Sequence, residues 1–174
     1  MPTPPGDALT RQTVRLALAL WALALLLSLT LDDAGRSART PAGRLARLTW
    51  SLGWLVYVVH VGLAFHFFHG WSHAAAVRHV EERSGFGPGI GFSHLFTLAW
   101  GLDAAWWWLR PASYADRPAW VGRALVGYMA FVVFNATVVF EAGTVRLAGL
   151  LVTALLGSAW LLRLLAAHPP GEPS

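Results

Sequence analysis

Apolar runs recur along the chain at 14–31, 48–68, 92–109, 120–140 and 145–167, separated by short polar or proline-rich stretches. A helix needs about 20 mostly apolar residues to span the hydrocarbon of a bilayer. The pattern therefore predicts an all-α integral membrane protein, a helical bundle of about five transmembrane helices without a substantial soluble domain. Tryptophans stand at the ends of the runs, among them Trp50, Trp71, Trp106 to Trp108 and Trp120, as expected of side chains that anchor at a membrane–water interface. The third run is short and carries Asp103. Residues 1–13 and 168–174 are expected to be flexible ends of a single bundle spanning 14–167. Arg11 and Arg15 ahead of the first run suit a secretion signal, but that run exceeds the usual 7–15 apolar residues and no small-x-small site follows at once, so a retained helix is expected.

The second helix is expected to outrun the bilayer. From Arg44 to Arg83 there is no proline, and glycine occurs only at 53, 62 and 70. A continuous helix of that length would extend about 60 Å, twice the hydrocarbon thickness. Its C-terminal half must project from the membrane or bend at Gly70 to lie along the surface. The run from Gly85 to Gly91, with Pro88 inside it, ends the element. Small residues (Gly62, Gly101, Gly127, Gly149 and Gly157) offer places for helices to pack closely.

Composition agrees with the hydropathy pattern. The chain is 56% apolar and only 13% charged, against about 25% charged residues in soluble domains. All thirteen basic residues are arginine, a usage that with abundant Ala, Leu, Gly and Trp suggests a GC-rich bacterial genome and a cytoplasmic membrane. The net charge of +4 sits at the edges of apolar runs, where it orients a membrane protein, so nucleic acid is not an expected partner. Arg36, Arg39, Arg44, Arg47, Arg110, Arg117, Arg123 and Arg163 fall on one side of a five-span topology, and Arg11, Arg15, Arg78, Arg83 and Arg146 on the other. The positive-inside rule then places the N-terminus outside and the C-terminus in the cytoplasm. The bilayer is the expected partner, together with another membrane protein or a second copy of the chain.

The chain has no cysteine, which excludes disulfides, iron–sulfur clusters, thiolate zinc sites and cysteine nucleophiles. G-x-S-x-G, phosphate-loop and H-E-x-x-H motifs are absent as well. Histidine is where the chemistry concentrates: His60, His66, His69, His73, His79 and His94 follow closely on one another, and ionisable groups at membrane depth mark functional sites. At 100° per residue, His66, His69 and His73 would share one helix face. A five-span topology would bring His94 and Glu141 to the same membrane level. Imidazole and carboxylate suit zinc, copper or iron, with haem a lesser alternative. The expected ligands are thus His66, His69, His73, His94 and Glu141, with Glu81, Glu82, Asn135, His60 and His79 as reserve or supporting groups. His69-Gly-Trp-Ser-His73 has the H-x-x-x-H spacing of membrane di-iron desaturases, but the chain lacks an adjacent histidine pair and that assignment is rejected. Two other roles compete with metal binding: a non-catalytic assembly subunit whose histidines decorate the interface, and a small proton-coupled transporter using Asp103 and the histidines.

An unpaired carboxylate at Asp103 would cost at least about 2.5 kcal/mol on insertion. The expected partner is Arg110, seven residues on, or Arg123 at the start of the next helix, either of which would lock helices together.

Overall fold

The computed structural model describes residues 5–167, and within them every regular element is helical, without strands. The helices are α1 (Pro5–Leu29), the single turn α2 (Asp33–Arg36), α3 (Pro41–Phe68), α4 (His73–Ser84), α5 (Ile90–Leu109), the short α6 (Pro111–Ala115), α7 (Ala119–Phe134) and α8 (Gly143–Ala167). One turn of π-helix, Asn135–Val139, continues α7.

Four helical stretches among the described residues are long and apolar enough to cross a membrane: Gly6–Leu29, Pro41–Phe68, Ala119–Val139 and Gly143–Arg163. The expected third span falls on α5, which has 20 residues but is not one of these four. Helix α1 begins well before residue 14. Its first turns are polar: Asp7 and Arg11 pair one turn apart, and the hydroxyls of Thr10 and Thr13 donate to the carbonyls of Gly6 and Leu9 within the helix. Positions 5–13 are therefore helix rather than a flexible end, while 1–4 and 168–174 lie outside the described residues.

Helices α1 and α3 form an antiparallel hairpin. Gly6 lies against Phe67 near one end, Leu20 against Gly53 in the middle, and Gly35 against Gly43 at the other. The imidazole of His60 donates through Nδ1 to the Thr10 carbonyl at 2.9 Å, tying α3 to α1. Helix α5 runs back along α3. Trp54 Nε1 donates to the Thr97 carbonyl (3.0 Å), Trp100 Nε1 to the Trp50 carbonyl (3.2 Å), and Trp108 Nε1 to Ser51 Oγ (2.8 Å). Trp21 of α1, Phe96 and Trp100 of α5 and Met129 of α7 are fully buried in the core.

Outside this core the helices present leucine to their surroundings. In α8, Leu147, Leu151, Leu155 and Leu162 are more than half exposed. In water such a surface would drive aggregation, and it suits a lipid environment. Not every small residue serves packing: a side chain at Gly101 would strike the Trp54 ring and one at Gly149 would strike Thr137, whereas Gly62, Gly127 and Gly157 face open space.

Candidate functional site

The expected long second helix is broken. Helix α3 stops at Phe68, and Gly70 and Trp71 both take left-handed backbone, with φ of 53° and 61°. Trp71 N–H donates to the Phe65 carbonyl and Ser72 N–H to the His69 carbonyl, closing the turn. Ser72 then caps α4, its Oγ accepting from Ala75 N–H. At the far end Gly85, in left-handed conformation, donates to Glu81 O and terminates α4. Helix α4 is thus a separate 12-residue element at the end of α3, in line with the bend at Gly70 and not with a continuous rod.

This break changes the histidine geometry, because His66 and His73 no longer share one helix. His66 is exposed and packs edge-on against Phe67. His69, at the end of α3, meets His79 of α4 edge-on with ring centroids 5.3 Å apart. Its imidazole is held below its ordinary value by partial burial and, secondarily, by the charge His79 would carry. His73, first residue of α4, stacks on His94 of α5, with Nε2 to Nε2 only 3.1 Å apart. One of these nitrogens must carry a proton and the other a lone pair, so the contact needs at least one neutral ring.

Two imidazole pairs therefore replace the expected trio. His73 and His79 are six residues apart on α4, about 9 Å of helical rise, so the pairs cannot share one ion. Among the described residues, no three His, Asp or Glu side chains gather where a metal could sit. The other expected groups lie elsewhere. Glu141 stands 4.0 Å from Arg83 of α4. Asn135 donates through Nδ2 to the Phe131 carbonyl and, with His79 and Glu141, lines a separate cavity. Glu81 and Glu82 are exposed on α4, and His60 is committed to Thr10.

Asp103 is buried, but its partner is neither Arg110 nor Arg123. Arg117 reaches it, Nη1 to Oδ1, at 2.6 Å, and Tyr114 donates its hydroxyl to Oδ2 at 3.0 Å. Tyr114 is held in turn. It stacks on Trp107 (4.7 Å, 7° between planes), and the Arg117 guanidinium lies over its other face at 3.8 Å. Burial and the neighbouring carboxylate push the Tyr114 phenol well above its ordinary value, so it stays a donor. Close to this corner, Trp107 Nε1 donates to the Arg36 carbonyl, joining the α5–α6 turn to the α1–α3 turn. Trp107 is buried and is a strut of the fold, not an interface anchor.

No protein-family model matches the chain, and no curated protein or solved structure shows significant similarity to it. The class is given by the fold itself: a helical protein with, among the described residues, four helices long and apolar enough to cross a membrane.

Proposed function

We propose that the chain is an integral membrane protein of five crossings that binds a transition-metal ion at one membrane face, through His73 and His94. Counting α5 as the fifth crossing rests on its antiparallel course beside α3 and on the neutralisation of Asp103 by Arg117. With an odd number of crossings, the arginine distribution puts the N-terminus and α4 outside and the C-terminus inside.

The observation that carries the metal reading is the His73–His94 contact. Two nitrogens bound to one tetrahedral zinc, each 2.0–2.1 Å from it, stand about 3.3–3.4 Å apart. The pair at 3.1 Å is within a few tenths of an ångström of that spacing before any ion enters. The contact is exposed, so an ion has a route in, and the remaining coordination positions fall to water or to a partner. A metal held there would fasten α4 to α5. The expected ligands His66, His69 and Glu141 take no part.

A second reading is favoured by the His69–His79 contact, since a repeated imidazole pairing along α4 is what a purely structural fastening of that helix would use. Metal titration in lipid nanodiscs separates the two. The metal reading expects about one equivalent of Zn(II) or Cu(II) per chain, lost in His73→Ala and in His94→Ala and retained in His66→Ala. Stoichiometric binding that survives both substitutions, or no binding by the wild type, leaves the structural reading.

A further inference from the structure

A cavity of about 390 Å³ opens between the C-terminal half of α4, the start of α5 and the end of α7 with its π-turn. Its size is in the range of small-molecule sites, about 300–1,000 Å³. Most of its wall is apolar: Phe86, Phe92, Phe131 and Phe140 contribute rings, two of which, Phe92 and Phe131, meet edge-to-face at 6.1 Å. The polar side chains in the wall are His79, Arg83, Ser84, Ser93, Asn135 and Glu141, of which Arg83 and Glu141 carry the formal charges.

Two features set this apart from an accidental gap between helices. The first is the π-turn Asn135–Val139, in which Phe140 N–H donates to the Asn135 carbonyl five residues back. Such turns cost hydrogen-bond geometry and cluster at functional sites. The second is the state of the charges. Arg83 and Glu141 approach only to 4.0 Å, too far for a hydrogen bond, and their side chains are 60% and 40% exposed. The pair neutralises itself over distance, yet the guanidinium donors and the carboxylate acceptors stay open to a third group. Asn135 spends one N–H on Phe131 and keeps its Oδ1 and second N–H.

Charge balance selects the ligand. An anionic head would meet Glu141, and a cationic head would meet Arg83. A neutral head bearing both a hydrogen-bond donor and an acceptor satisfies both, while its apolar body lies among the phenylalanines. We infer that this cavity binds a neutral-headed amphiphile, taken from the membrane, with its hydroxyl or carbonyl groups between Arg83, Asn135 and Glu141. This inference does not depend on the metal reading, because His73 and His94 do not line the cavity.

The test uses the full chain in nanodiscs with chelator present and three probes of equal chain length: 1-monodecanoylglycerol, decanoate and decylammonium. Partition into empty nanodiscs is subtracted. The expected result is saturable binding of the glycerol ester near one equivalent, at least about tenfold tighter than either charged probe, and lost in Ala136→Phe, which fills the cavity. Ser93→Leu, filling it from α5, should act in the same way. Absence of saturable binding by the wild type overturns the inference. So does equal binding of all three probes, and so does binding that persists in a folded filling variant.

Discussion

Arg117 neutralises Asp103 from fourteen residues further along the chain, at 2.6 Å, after a reversal through α6. The carboxylate is buried and the guanidinium nearly so. Removing one member of a buried pair strands the other, at a cost of about 3–5 kcal/mol. Arg117→Ala is therefore expected to destabilise the protein by about that amount in a denaturation series, and Asp103→Leu with Arg117→Leu together by clearly less. Arg110→Ala and Arg123→Ala should stay within about 0.5 kcal/mol. Equal losses for all three arginines would mean that Asp103 is paired diffusely.

Glycines on the same helices should respond in opposite ways. A methyl group at Gly43 would run into the Gly35 backbone, which cannot yield as a side-chain tip does. Gly62, in the same helix, faces open space. Gly43→Ala is expected to lower stability by about 1–3 kcal/mol. Gly62→Ala should raise it by up to about 1 kcal/mol, by removing backbone freedom from the unfolded chain. Thermal unfolding of the two variants side by side decides the matter, and a loss at Gly62 comparable to that at Gly43 would contradict the packing described.

His69 supplies a pH dependence of known sign. Its folded imidazole titrates below the ordinary value, chiefly through burial and then through His79, so the unfolded chain takes up the proton first. The resulting stability is fully present above about pH 6.5, the unfolded value, and is lost as pH falls through that value toward the folded one. Stability should thus decline between pH 7.5 and 5.5 with a component that disappears in His69→Phe. An NMR titration placing His69 at or above 6.5 in the folded protein would reverse the sign.

Topology can be read with single cysteines, since the chain has none of its own. Ala74→Cys on α4 and Ser113→Cys on α6 lie at opposite ends of α5, and both positions are exposed. A membrane-impermeant thiol reagent applied to intact cells should label the first and reach the second only after permeabilisation. Labelling of both from outside would show that α5 does not cross.

The apolar runs were legible because membrane-spanning length depends on hydropathy alone, and helix positions followed from them to within a few residues at most ends. Three features lay beyond that signal. Helix α1 already runs from Pro5, through a polar stretch with Asp7 and Arg11 paired one turn apart, which a hydropathy pattern does not register. Helical phase put His66, His69 and His73 on one face only if the helix continued, and two consecutive left-handed residues, Gly70 and Trp71, end it. Glycine signals such a turn, whereas a tryptophan with positive φ does not. The partner of Asp103 was hidden because spacing rules relate residues within one helix, and α6 folds Arg117 back across a corner. Pro111 opening a new helical turn next to Tyr114 was the available hint.

Pulsed electron paramagnetic resonance on the nanodisc-embedded chain, loaded with one equivalent of Cu(II), decides whether His73 and His94 hold one ion. Modulation from two equatorial imidazoles is expected, falling to one in His73→Ala and in His94→Ala and unchanged in His66→Ala and His69→Ala. A spectrum without imidazole coupling, or one that the two key substitutions leave intact, would contradict it.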